Sequence, residues 1–158
     1  MKQINRIIFV AGSGTSRAPM AAAIMERMLE GTGVEVLARG IVVQFPEPLN
    51  QKAEAILISN GIQLNGYGAQ QISNEDITDT TIIFTMEETQ RLRLMEDYER
   101  ATEENTFVLS RFVGDELEIL DPYGAPLQSY GLCYELIKSS VEKAIGLLQE
   151  KIKGNKHE

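Results

Sequence analysis

The stretch "IIFVAGSGTSRAPMAAAIM", residues 7–25, joins an apolar run to a helix-forming run through small and hydroxylated residues. Gly12 and Gly14 can adopt positive φ, which lets successive backbone N–H groups point towards one centre. Pro19 suits the first turn of a helix, so the loop ends at the positive pole of a helix dipole. These features predict an anion-binding loop.

One arginine supplies this loop with a positive charge. Arg17 can donate two parallel hydrogen bonds to two phosphate oxygens. The loop hydroxyls can donate further hydrogen bonds or hold the loop backbone. The plainer alternative is a strand-to-helix turn in which Arg17 lies at the surface or pairs with a carboxylate. We favour a phosphate site, and its predicted binding residues are Gly12, Ser13, Gly14, Thr15, Ser16 and Arg17.

Two common phosphate-binding motifs do not fit the loop. The nucleotide P-loop requires G-x-x-x-x-G-K-[ST], and no such lysine follows these glycines. The dinucleotide motif G-x-G-x-x-G fails at its third glycine, where Arg17 stands. The loop is therefore not predicted to bind a nucleotide in either of these ways.

Alternating strand and helix patterns surround the loop. Such alternation predicts βαβ units and an α/β fold, a doubly wound domain with a parallel sheet covered on both faces. Ligands bind such sheets beyond the carboxyl ends of the strands, where this loop begins. The predicted strands are 6–10, 34–38, 81–86 and 106–110, and the predicted helices are 19–30, 50–61, 87–97 and 127–150.

Length and composition limit the classes of function. The 158 residues suffice for one domain, predicted over 1–152, with a polar tail over 153–158 that holds the only histidine, His157. A net charge of −8 argues against non-specific nucleic-acid binding. Cys133 is the only cysteine, so no disulfide within the chain, zinc site or other metal site is predicted, and no cofactor is implied. No apolar run suits a signal peptide or membrane span, which predicts a cytoplasmic protein.

Taken together, these segments resemble the low-molecular-weight protein tyrosine phosphatase family, which includes bacterial protein-arginine phosphatases. The family loop V-C-x-G-N-x-C-R-S-P-M-A compares with "VAGSGTSRAPMA" here. The segments "ARG", "PEPLNQKAEAILISNGI", "QQISNEDITDTTIIFTM" and "ILDPYGAPLQSYGLCYELI" extend the likeness over nearly the whole chain. The resemblance implies a three-layer domain with a four-stranded parallel sheet in the order 2-1-3-4.

The resemblance also assigns roles to single residues. In the family the first loop cysteine attacks phosphorus, the loop arginine binds phosphate oxygens, and the aspartate of an Asp-Pro loop protonates the leaving group. Arg17 matches the arginine and Asp121 the general acid, but Ala11 occupies the position of the nucleophile. Gly14, Ser16 and Ala18 replace the family's asparagine, second cysteine and serine. The implied function is binding of phosphate or a phosphorylated protein residue without turnover.

Other residues near the predicted site carry weaker signals. Asp121 begins "DPYG", a good turn sequence, and could be kept for the turn alone. Phe45 and Tyr123 stand where the family has substrate-facing walls. Thr15 matches the threonine of the arginine-phosphatase branch, which favours a phosphoarginine-like ligand. Cys133 falls on the apolar stripe of the last helix and is predicted to be a buried, unreactive thiol.

Three alternatives to a silent binding protein remain open. An active phosphatase could use the hydroxyl of Ser13 or Ser16, although serine needs an adjacent base and no histidine is suitably placed. A phosphocarrier domain of the phosphocysteine type has a similar strand–loop–helix start but lacks the late Asp-Pro loop. A partner-binding module would follow if a carboxylate occupied Arg17.

Overall fold

The computed structural model describes residues 3–156, with side chains described for residues 3–152. Strands and helices alternate as predicted, and four parallel strands form one sheet in the order 2-1-3-4. In chain order the elements are β1 Arg6–Val10, α1 Arg17–Met28, β2 Glu35–Arg39, α2 Gln51–Ser59, a 3-10 turn Asn74–Asp76, β3 Thr81–Thr85, α3 Glu88–Asp97, β4 Thr106–Val108, α4 Leu109–Phe112 and α5 Leu127–Lys156.

Helices cover both faces of the sheet, which makes the domain three-layered. Successive residues of a strand point to opposite faces, and the central strands are apolar on both. Ile7 and Phe9 of β1 pack into the larger core with α1, α2 and α5. Ile8 and Val10 of the same strand pack into a smaller core that includes Leu94 of α3. Both β1 and β3 are therefore buried, and their carboxyl ends open at one edge of the domain.

The structure corrects several predicted boundaries. α5 continues past the predicted end at 150 to Lys156, while His157 lies outside the described residues. The fourth strand ends at Val108 because Leu109 begins the short α4. Met28 is 45% exposed because it stands in the last turn of α1, past the covered face of that helix. Within residues 3–156 no helix is both long and apolar enough to cross a membrane.

Candidate phosphate-binding site

The loop between β1 and α1 carries backbone N–H groups that have no acceptor. Gly14 adopts a φ of 74°, and its N–H donates to the carbonyl oxygen of Ala11 at 2.9 Å. A positive φ predicted for Gly12 is wrong, because the described glycines with positive φ do not include it. Unpaired N–H groups in a concave loop at a helix N-terminus attract anions. Within the described part of the chain, such groups belong to Gly12, Ser13, Thr15, Ser16 and Arg17.

These residues surround a small cavity of about 30 Å³ at the carboxyl end of β1. The predicted loop and the predicted Asp-Pro loop meet here although they are far apart in sequence. The lining residues are Ala11, Gly12, Ser13, Gly14, Thr15, Ser16, Arg17, Asp121 and Tyr123.

Neighbouring segments hold the loop in shape, through residues that the sequence did not reveal. The hydroxyl of Tyr67 donates to the carbonyl oxygen of Gly14 at 2.6 Å, and burial raises the pKa of Tyr67 to about 12. The N–H of Asn50 donates to the carbonyl oxygen of Thr15 at 2.9 Å. Gly40 packs so close that a Cβ there would lie 2.8 Å from the carbonyl carbon of Ser13. The loop is therefore braced from three directions.

Replacing Gly14 with alanine should destabilise the protein more than the same change at Gly66. Both glycines have positive φ, 74° and 69°, which costs a residue with a side chain about 1–2 kcal/mol. A Cβ at Gly14 would also lie 3.0 Å from the backbone nitrogen of Gly40, whereas Gly66 has nothing within 4 Å. Crowding of this kind adds about 1–3 kcal/mol. Urea unfolding of the two variants measures the difference, and equal free energies of unfolding would contradict the close approach.

Arg17 is buried, and one of its two terminal nitrogens is occupied. Its side chain is 4% exposed. Nη1 donates to a carboxylate oxygen of Glu87 at 2.5 Å and to the carbonyl oxygen of Ile119 at 2.7 Å. Nη2 points to the loop, since a Cβ placed on Gly12 would lie 3.9 Å from it. The arginine does pair with a carboxylate: its hydrogen bond to Glu87 uses Nη1, while Nη2 is directed at the cavity with a carboxylate oxygen of Asp121 at 3.9 Å.

Glu87 holds this arginine from the N-terminus of α3. It is the N-cap residue of that helix, and its side chain accepts from the backbone N–H of Gln90 while the Gln90 side chain accepts from the Glu87 N–H. This reciprocal capping box fixes the carboxylate in place. The carboxylate therefore orients the guanidinium, and both groups sit at the carboxyl edge of the sheet.

Asp121 lies at the mouth of the cavity in a turn. One carboxylate oxygen accepts from the Tyr123 N–H at 3.1 Å, and the other lies 3.9 Å from Nη2 of Arg17. The first contact is the turn interaction expected from "DPYG", and the second places a carboxylate near the predicted anion. Tyr123 lines the cavity with its side chain 81% exposed. Phe45 is 60% exposed and is not among the lining residues, so its role as a substrate wall stays a prediction.

The loop hydroxyls contact other hydroxyls rather than a base. Oγ of Ser13 lies 2.8 Å from Oγ1 of Thr15. Ser16 hydrogen bonds to the buried phenol of Tyr130, whose pKa is raised by burial against the lowering effect of Asn50 and Ser16. A phenol that retains its proton at neutral pH is a poor general base. Ala11 and Ala18, which the resemblance places at the family's cysteine and serine positions, are both buried.

Cys133 lies behind the site on α5 and is 5% exposed. Burial raises its pKa to about 11, an effect that nearby Arg17 partly offsets and Asp121 adds to. Because the thiolate is the reactive form, this thiol is inert at neutral pH. The placement agrees with the predicted buried cysteine.

We expect Cys133 to resist alkylation in the folded protein. At pH 7.5 the thiol should react with iodoacetamide at least about a hundredfold more slowly than in urea, since it is both buried and protonated. Its raised pKa also stabilises the fold below the ordinary thiol pKa, and this stabilisation is lost as pH rises through about 11. Mass spectrometry follows the alkylation, and equal rates in the two states would contradict the placement.

The sequence of this chain is similar to those of known phosphatases. The sequence model described as "Low molecular weight phosphotyrosine protein phosphatase" matches residues 6–156. A protein-arginine-phosphatase of Geobacillus stearothermophilus is 30% identical over 145 residues, covering 91% of this chain and 96% of that protein. The low molecular weight protein-tyrosine-phosphatase PtpB of Staphylococcus epidermidis is 28% identical over 138 residues, covering 87% and 95%.

Solved structures of phosphatases also superpose on this chain. The YwlE arginine phosphatase from Geobacillus stearothermophilus superposes with a TM-score of 0.84 at 28% identity, over 92% of this chain and 94% of that one. A low molecular weight protein tyrosine phosphatase from T. tengcongensis gives a TM-score of 0.83 at 26% identity, over 89% and 97%. The similarity spans almost the full length of each chain, so it covers the loop, the arginine and the Asp-Pro turn together.

Proposed function

The chain belongs to the low molecular weight phosphotyrosine protein phosphatase family, and we propose that it binds a phosphorylated protein residue without hydrolysing it. The phosphoryl group would lie in the loop of residues 11–18. Unpaired N–H groups would bind its oxygens together with Nη2 of Arg17. Asp121 would stand at the general-acid position. The cytoplasmic location expected from the sequence stays a prediction.

The orientation of Arg17 carries the proposal. Glu87 and the Ile119 carbonyl bind Nη1, so the guanidinium cannot swing out to solvent. A buried arginine held on one side offers its other nitrogens in a fixed geometry, which lowers the entropic cost of binding an anion. The direction of Nη2 towards the loop also favours this function over the partner-binding module.

The absence of a nucleophile supports the second half of the proposal. Position 11 is alanine, and its methyl group cannot attack phosphorus. Among the described residues Ser13 contacts the hydroxyl of Thr15 and Ser16 that of Tyr130, so neither serine is hydrogen bonded to the adjacent base that it would need as a nucleophile. A phosphoanion bound in this loop would therefore stay intact, and the protein would act as a reader of phosphorylation.

Phosphoarginine is the ligand that we favour over phosphotyrosine. Thr15 lines the cavity, and in the resemblance it matches the arginine-phosphatase branch. The relative with 30% identity is described as a protein-arginine-phosphatase. The short polar side chain of Thr15 can accept or donate a hydrogen bond, which suits a guanidino group better than a phenyl ring.

Titration of the protein with phosphoarginine and phosphotyrosine peptides tests the function directly. We expect saturable binding at one site, competition by inorganic phosphate, and release of phosphate at the rate of buffer alone. Unphosphorylated peptides of the same sequence serve as the control. Turnover above background would support the loop-hydroxyl phosphatase instead, and equal binding of phosphorylated and unphosphorylated peptides would overturn the phosphate site.

A further inference from the structure

A second depression lies directly beside the phosphate cavity. It measures about 330 Å³ and runs between the turn after β2 and the first turns of α3. Gly12 and Ser13 line both this groove and the phosphate cavity, so a chain bound in one would continue into the other. The groove residues are Gly12, Ser13, Ile41, Val42, Thr89, Gln90 and Arg93.

Hydrogen bonds hold both walls of the groove and join one of them to the phosphate loop. The N–H groups of Ile41 and Val42 donate to the carbonyl oxygen of Gly12, at 2.7 and 3.3 Å. The side chain of Gln71 holds the same turn, through its amide nitrogen to the Ile41 carbonyl. On the opposite wall Gln90 accepts from the N–H groups before α3. The groove is thus preformed, which lowers the cost of ordering a bound peptide.

The groove is apolar along one side and positive at one end. Val42 is 51% exposed and Ile41 lies beneath it. Arg93 is the only charged residue among those that line the groove. Its side chain is 55% exposed, and its Nε lies 3.5 Å from a carboxylate oxygen of the 49% exposed Asp97, one helical turn away. Such an exposed pair is weak, so a second carboxylate can compete for the guanidinium.

We infer that this groove binds the residues flanking the phosphorylated one, with an acidic side chain placed on Arg93. The inference rests on the proposed function and adds a sequence preference to it. The net charge of −8 repels acidic peptides in general, so any preference for them must come from a local positive group. Arg93 is that group, at a position continuous with the phosphate loop.

Binding of two phosphopeptides that differ in their flanking residues tests the inference. Both carry one phosphoarginine, flanked in one peptide by glutamate and in the other by lysine, and fluorescence anisotropy gives the affinities. We expect the protein to bind the glutamate peptide about fivefold more tightly. The variant Arg93→Gln should remove this preference and Arg93→Glu should reverse it.

Lys143 provides a matched control. It also forms a 3.5 Å pair with an exposed carboxylate, Asp115, and its side chain is 51% exposed. Lys143→Glu therefore makes the same change in net charge on α5, and the preference should survive it. Equal loss of preference in both variants would overturn the groove and indicate a general charge effect.

The remaining outcomes separate this inference from the proposed function. If neither phosphopeptide binds better than its unphosphorylated form, the phosphate site itself fails and the groove with it. If both phosphopeptides bind equally well and inorganic phosphate competes, the proposed function stands and the groove inference is overturned. A preference that Arg93→Glu leaves unchanged would also overturn it.

Discussion

Replacing Ala11 with cysteine should create the phosphatase activity that we propose this protein lacks. The new thiol would lie at the base of the loop, beside Arg17 and the N-terminus of α1. Such surroundings lower a cysteine pKa from about 8.5 to about 3.5–7.5, so the thiolate would form at neutral pH. The cradle around it is already braced by Tyr67 and Asn50.

We expect the rate to rise by at least about 10³ over the parent. Removing the nucleophile of a serine protease costs about 10⁶ in turnover, and Ala18 and Gly14 should keep this variant short of that full gain. Hydrolysis of an aryl phosphate and trapping of a phosphocysteine by mass spectrometry are the two measurements. Both should be absent in the parent.

The variant Ala11→Ser is the matched control for this gain. It places an oxygen where the thiol would lie, but serine has no comparable ionisation near neutral pH. It should remain inactive. Comparable activity in the parent, the serine variant and the cysteine variant would show that another residue carries out the chemistry.

Replacing Arg17 with methionine should abolish phosphate binding and destabilise the fold. The Arg17 side chain is 4% exposed, and its removal leaves the Glu87 carboxylate without the cation that it pairs with. Breaking a buried pair from one side costs about 3–5 kcal/mol, and the lower end applies because Glu87 is 26% exposed. Among the described residues Arg17 is the side-chain cation that lines the proposed phosphate site, and the variant would lack it.

The double variant Arg17→Met, Glu87→Gln separates stability from binding. Glutamine is neutral and can still accept the capping hydrogen bond of α3, so most of the lost stability should return. Phosphate binding should stay absent, because no cation replaces Nη2. Urea unfolding and phosphate titration are measured on the same samples. Phosphate binding that survived in the double variant would contradict the role given to Arg17.

Local features of the sequence predicted the alternation of strands and helices and the candidate anion-binding loop. The short β-branched run 6–10 is typical of a buried strand, and the apolar stripe of α5 follows the period of 3.6 residues expected for a helix. Such a pattern can be recognised within one segment, without knowledge of the segments that pack against it. The parallel sheet in the order 2-1-3-4 followed from the resemblance and is confirmed. The loop could also be recognised from the sequence, since Gly14 permits a positive φ and Pro19 fixes its own φ near that of a helix.

Tertiary structure alone decided how Arg17 is used. Its partners Glu87 and Ile119 lie 70 and 102 residues away in sequence, and Tyr67 lies 53 residues from the loop glycine that it holds. The sequence left open whether a carboxylate would occupy the arginine, and the structure shows one bound to Nη1 while Nη2 points to the loop. Contacts of this kind depend on which strand ends meet at the edge of the sheet. No local pattern of residues encodes that meeting, because it arises from the packing of the whole domain.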